Sequence, residues 1–411
     1  MLRAGYASVD ITPPADCALL GYEFRQRELP AGSSGVLDRL RARALVLDPS
    51  GGEGARGDSP SPHFAALVSL DLCIVEADLA RRLRAAAARK LGGAEERVIV
   101  ACTHTHSGPF PRIARPPRRS RPDPVARILR GSDAGYAAQL ERAVCEAAAT
   151  ARGLLYPVQL AVREAPFGMG YDRRVVGAGG VRHCWNPQES PELDPAPMPD
   201  PTCTVAVLRQ TNGPRRFIAW SVGAHAVSLG KTSRVVSADW PGAACAMIDD
   251  SAQATHSLFF SGAAGDVHPW VATQERPDGM LLNARAAASF VSLLAEAAAP
   301  MTDGGLSIAS RTLRLGGSRL DVSVWNLQGL WIVALPVELF GQLGVELRRR
   351  LGGPVLLATV ANGWTGYWPT RRAFEQGGYE VEAARASGRK AGDGERLIEE
   401  VVAIAQRAGR R

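Results

Sequence analysis

Short apolar runs rich in β-branched residues, each closed by a polar or glycine-containing turn, alternate along this chain with alanine- and leucine-rich stretches of helical spacing. Residues 3–12 alternate as a strand does and stop at Thr12-Pro13-Pro14; Arg41–Leu47 and Phe64–Leu72 predict two more strands. Between these two, the Gly/Ser/Pro-rich stretch Pro49–Pro62 predicts an exposed hairpin loop, with His63 beside it at the surface. Leu79–Leu91 predicts a helix that leads into Val98–Ala101, a buried strand. Tyr136–Leu154 predicts another helix and Gln159–Glu164 another strand. In the second half, four apolar runs end in a polar residue and a loop. Phe217–Val222 precedes His225, Ser257–Phe260 precedes Asp266 and His268, Leu330–Leu335 precedes Glu338, and Val355–Val360 precedes Tyr367. Helices are expected at Pro241–Ser251, Ala284–Ala298, Leu339–Leu351 and Gly392–Ala408. The alternation predicts an α/β fold, mixed β-sheets packed in layers with flanking helices and a site at the carboxyl ends of strands. No composition break, repeat or coiled-coil period divides residues 1–411, so a single domain is expected.

Composition narrows the classes of function. The net charge of +7 comes almost wholly from arginine, lysine occurring only at Lys90, Lys231 and Lys390. Basic residues are not interleaved with aromatics as a nucleic-acid surface requires, so no nucleic-acid partner is expected. Seven scattered cysteines without C-x-x-C predict a reduced, cytoplasmic chain. The N-terminus has no continuous apolar segment of the signal-peptide kind, and no uncharged apolar run is long enough to span a membrane. G-x-G-x-x-G occurs at Gly52–Gly57, but it runs into prolines and a strand rather than a helix, so no nucleotide is implied. Pro111–Arg130 holds seven arginines and five prolines, and reads as an irregular basic loop beside the site.

The chemistry gathers at the strand ends. After Val98–Ala101 come His104 and His106, which an extended backbone would turn to the same side. His104, His225 and Glu338 form a two-histidine, one-carboxylate set, scattered in sequence but equivalent in position. Zinc takes these ligands and leaves a position open, although iron or manganese would accept the same types. The residues alone therefore predict a metal hydrolase.

The chain also resembles the neutral/alkaline (non-lysosomal) ceramidase family, in its N-terminal catalytic domain. The matching stretches are A-G-Y-A-S-V-D-I-T-P-P with L-L-G-Y at 4–22, A-L-V-S-L-D-L at 66–72 and V-A-C-T-H-T-H-S-G-P at 100–109. G-A-H-A at 223–226, S-A-D-W-P-G at 237–242 and G-A-A-G-D-V-H-P at 262–269 follow in order. L-P-V-E at 335–338 and N-G-W-T-G-Y through G-G-Y-E at 362–380 complete the set. The resemblance implies zinc held by His104, His225, Glu338 and Tyr367, with His106, Arg173 and Tyr379 facing the scissile group.

The departures set further expectations. The family's Asn-Arg-Ser-Pro stands here as Asp172-Arg173-Arg174-Val175, and its Gly-Asp-Val-Ser-Pro-Asn as Gly265-Asp266-Val267-His268-Pro269-Trp270. His268 is thus expected in the cleft, touching substrate or carrying a proton, with metal ligation and loop bracing as the alternatives. No C-terminal immunoglobulin-like domain is expected. The combined expectation is a zinc-dependent amidohydrolase acting on a small soluble amide, linear or cyclic, with an anionic group. A cyclase or acyl-transfer enzyme and a non-catalytic metal-binding homologue are the alternatives, and homo-oligomerisation is left open.

Overall fold

The structure, a computed structural model, describes residues 1–14, 17–22, 32–51, 62–111, 134–301 and 304–408. Most of Pro49–Pro62 and nearly all of Pro111–Arg130 therefore lie outside the described residues.

Alternating burial sorts the strands into two stacked sheets. The large one, nine-stranded among the described residues, runs Thr255–Ser261, Arg216–Val222, Thr202–Gln210, Tyr156–Pro166, Arg3–Asp10, Arg41–Asp48, Ala65–Leu70, Val98–Cys102, with Ala299–Pro300 paired to Tyr156–Pro166. Its strands are antiparallel except at the two ends, where Ala65–Leu70 pairs with Val98–Cys102 and Arg216–Val222 with Thr255–Ser261 in parallel. The small sheet orders Leu306–Leu315, Ser318–Leu327, Leu330–Ala334 and Val355–Ala358.

Successive side chains on a strand point to opposite faces. Ala44, Val46, Val68 and Val100 accordingly pack on helices Ala77–Leu91 and Ala134–Gly153. Their neighbours Leu45, Leu47, Leu67 and Ile99 meet Trp325, Ile332 and Leu356 of the small sheet. At the other half of the large sheet, Val205, Val207, Trp220 and Phe259 pack on Asp239–Ser251 and Asp278–Glu296. The far face of the small sheet, with Val322, Val324, Val333 and Leu357, is covered by Gly341–Leu351 and Asp393–Ala408. The layers run helix, sheet, sheet, helix, an α/β architecture as expected.

Most elements match the sequence reading within a few residues. Asp278–Glu296 begins well before Ala284, because Gly279 and Asn283, buried on its inner face, interrupt the apolar pattern. The hairpin Leu306–Leu315/Ser318–Leu327 and the strand Thr202–Gln210 are additions to it.

The two sheets are stitched where their strands end. Ala101 bridges Ala361, the Val100 amide donates to Asn362 Oδ1 at 3.1 Å, and the Thr359 amide donates to the Ser261 carbonyl at 2.7 Å. This seam brings the loops carrying His104, His225, Glu338 and Tyr367 to one place. Among the described residues no helix is long and apolar enough to cross a membrane. All seven cysteines are free thiols.

Candidate metal centre

His104 and His106 meet, but not by strand alternation. The strand ends at Cys102, and His104 takes a left-handed backbone with φ +69°, a conformation uncommon for a residue with a Cβ. The extended-segment expectation is corrected here: a turn, not a pleat, sets the two rings edge to face with Nε2 atoms 3.5 Å apart. The turn is held by the His104 amide on the Leu72 carbonyl at 2.9 Å and the His106 amide on the Ala226 carbonyl at 3.3 Å. Gly21 packs against His106, where an added Cβ would fall 2.3 Å from the ring carbon Cγ, and its φ is +118°. Only glycine fits such a position.

His225 follows the strand Arg216–Val222, and Glu338 opens the two-residue strand Glu338–Leu339. One Glu338 oxygen, Oε2, lies 3.2 Å from His225 Nε2 and 3.4 Å from His104 Nε2. The His104 Nδ1–H donates to the Cys73 carbonyl at 2.8 Å, and the His225 Nδ1–H to the Val267 carbonyl at 3.1 Å. These partners occupy both Nδ1 atoms and direct both Nε2 atoms inward, the usual way a protein presents imidazole to a metal. A four-coordinate zinc with ligands at about 2.0–2.1 Å places them about 3.3 Å apart, close to the spacings found here. The donor set therefore fits a small divalent cation.

The electrostatics agree. Two lone pairs and a carboxylate cannot share a buried site without a positive charge. In the protein alone His104 supplies it. Burial opposes its protonation, but Cys73 and Glu338 beside it raise its pKa well above the usual value. Glu338, which burial would raise, is held well below the carboxylate range by His104 and then His225. His225 is pushed down to about 4 by burial and by Arg173. The other Glu338 oxygen accepts the Trp364 indole N–H at 2.8 Å, which fixes the carboxylate plane. Cys73, His104 and His106 form a second group of metal-ligating side chains sharing His104.

The remaining expected residues surround this cluster. Tyr367 sits opposite Glu338 in a parallel ladder. Burial raises its pKa well above the usual tyrosine value, with Glu338 adding to the shift and Arg173 opposing it. Arg173 is buried; its Nε donates to Glu380 Oε1 at 2.8 Å and its Nη2 to the Gly265 carbonyl at 2.9 Å. Tyr379 is 45% exposed at the rim, its ring 5.7 Å from Tyr367 and 5.9 Å from the half-exposed Trp185.

His268 is buried in the strand Val267–Pro269, opposite Tyr171, with its ring 5.7 Å from that of His225. Arg173 Nη1 lies 2.9 Å from His268 Nε2. A guanidinium only donates, so Nε2 accepts and Nδ1 carries the proton, which goes to the Trp185 carbonyl at 3.3 Å. Burial, then Arg173, holds its pKa well below the usual histidine value. Both nitrogens are thus engaged within the protein, whereas the sequence reading expected one turned to substrate. Sequence reasoning assigned no role to Glu380 or Trp364, although both lie in the stretch N-G-W-T-G-Y through G-G-Y-E that carried the resemblance.

No protein-family model and no curated protein matches the chain. Among solved structures it is similar to the neutral ceramidase from Pseudomonas aeruginosa, with a TM-score of 0.75 and 16% identity over 99% of this chain and 75% of that one. It is also similar to a ceramidase complexed with C2, with a TM-score of 0.78 and 15% identity over 98% of this chain and 74% of the other. The chain has the fold of these ceramidases.

Proposed function

We propose that this protein is a zinc-dependent amide hydrolase, its metal held by His104, His225, Glu338 and Tyr367. The observation that carries this reading is the convergence of two imidazole Nε2 atoms on one carboxylate oxygen at 3.2 and 3.4 Å. When bound, such an ion supplies Lewis acidity, polarising a carbonyl oxygen and acidifying water.

The protein's own groups do the rest. His106, beside His104 and largely buried, accepts a proton from the attacking water and returns it to the leaving nitrogen. Arg173 presents positive charge to the oxygen that becomes an oxyanion, in a site dry enough for the charge to count. Three of its five N–H bonds are spent on Glu380, His268 and Gly265, so its orientation is set before substrate arrives. Tyr379 brings its hydroxyl from the rim to the same side. His268, neutral and hydrogen-bonded at both nitrogens, acts by holding Arg173 and transfers no proton in the reaction.

We take the substrate to be a small soluble amide bearing an anionic group, in keeping with the seven arginines of Pro111–Arg130. The free thiols support a reducing compartment such as the cytoplasm. The test is a panel of N-acetyl amino acids, short-acyl amines, lactams and micellar long-chain ceramide, followed by product analysis. Zinc-loaded protein is expected to release acid and amine from the short soluble amides. Failure on every member would overturn the hydrolase reading. Turnover of micellar ceramide matching the best soluble amide would overturn the substrate part.

A further inference from the structure

Glu380 is fully buried in the first turn of the helix Tyr379–Ala386. A carboxylate near a helix N-terminus is favoured by the helix dipole and has no need to leave water. This one turns inward and meets three cationic or potentially cationic side chains. Its Oε1 accepts Arg173 Nε at 2.8 Å; its Oε2 accepts Arg174 Nη1 at 2.7 Å and faces His183 Nε2 at 2.9 Å. Burial alone would raise its pKa, but Arg173, His183 and Arg174 hold it well below the usual carboxylate range.

The geometry divides the work on Arg173. Glu380 takes the inner Nε edge of the guanidinium, while His268 Nε2 and the Gly265 carbonyl take one hydrogen from each terminal nitrogen. The guanidinium plane is fixed, and its carbon lies 5.6 Å from the Tyr367 ring centre. The same carboxylate belongs to the residue that follows Tyr379. The turn before it is pinned as well, because Arg174 Nη2 donates to the Gly377 carbonyl at 2.8 Å. Arg173 and Tyr379 are far apart in sequence and reach the site from different elements. Glu380 is the group that joins them.

We propose that Glu380 is a positioning residue, whose buried carboxylate fixes Arg173 and Tyr379 as one unit beside the metal cluster and acts on the reaction only through them. This rests on the hydrolase reading above. It also extends that reading to Arg174, whose guanidinium shares the carboxylate and holds the turn that carries Tyr379.

The experiment combines 15N-arginine NMR with a double-mutant cycle. In the wild-type protein the Arg173 Nε–H, assigned by its loss in Arg173→Lys, is expected to exchange slowly with water. In Glu380→Gln it is expected to exchange at the rate of exposed arginines. Zinc content is expected to stay unchanged. On the fastest amide of the panel, kcat is expected to fall about 10–100-fold, as for loss of a group that orients another, with KM nearly constant. The double variant Arg173→Lys/Glu380→Gln is expected to be no slower than the slower single variant. Multiplying losses, zinc loss or a protected Arg173 signal in Glu380→Gln would each overturn the proposal. Should Glu380→Gln not fold, the wild-type spectrum decides, since an unprotected Arg173 Nε–H refutes the lock. If no amide is turned over, the hydrolase reading fails while the exchange measurement still reports on Glu380.

Discussion

Glu338 lies directly opposite Tyr367 in a parallel ladder of two residue pairs, Glu338 with Tyr367 and Leu339 with Trp368. The register places the two side chains on the same face, so a carboxylate and a phenol separated by a whole helix become neighbours beside two imidazoles. The backbone supports the pairing, with the Glu338 amide donating to the Gly366 carbonyl at 2.9 Å.

Protein purified without added metal should contain about one equivalent of zinc, as expected of a buried site with three or four protein ligands. His225→Ala and Glu338→Ala should each lose most of it, measured by elemental analysis. Chelator should lower the melting temperature of the wild type, since an ion present at 100 times its Kd stabilises by about 2.7 kcal/mol. It should leave the two variants unmoved.

Zinc uptake should release a proton from His104. His225, at about 4, and Glu338, held below its usual range, are already deprotonated at neutral pH, whereas the raised pKa of His104 leaves it protonated. Zinc must displace that proton. Affinity should therefore rise with pH up to the folded-state pKa of His104. Calorimetry at pH 7 in buffers of different ionisation enthalpy should give at least one proton released per zinc. Zero protons would mean that His104 is neutral without metal.

His268→Ala should retain zinc and lower kcat about 10–100-fold, through loosened Arg173, without moving the pH profile. A residue held neutral by burial and by Arg173 contributes no titration near neutrality. His106→Ala should lose about 10²–10⁴-fold and flatten one limb of that profile, as removal of a general acid–base does. A flattened limb in His268→Ala would return the proton-carrying role to His268.

Trp364→Phe should weaken zinc binding about 10–100-fold with the fold intact, because the indole N–H on Glu338 Oε1 is lost. Competition with a chromogenic chelator measures this.

Acid should destabilise the wild type more than Glu380→Gln. The folded-state pKa of Glu380 lies below its unfolded value, so its stabilisation is full above about pH 4.3. It is lost as pH falls toward the folded-state pKa. Urea midpoints at pH 7 and pH 3 should converge between the two proteins as pH drops.

The elements were legible along the chain because each reports locally on the face it buries. Val98–Cys102, Arg216–Val222 and Asp393–Ala408 could be read from spacing alone, since the alternation or helical period is the fold's own demand for an apolar side. His104, His225 and Glu338 could be proposed together because they follow strands in equivalent positions, while Tyr367 entered only through the family resemblance. What the sequence could not decide is where each side chain points once distant elements close on it. His104 and His106 meet through a left-handed turn that no periodicity reveals. His268 is bound up with Arg173 and the Trp185 carbonyl. Arg173, which only the family resemblance brought to the site, is buried because Glu380, 207 positions away, supplies its countercharge. A buried ion survives only with its partner, and a partner chosen across that distance is a property of the packed chain.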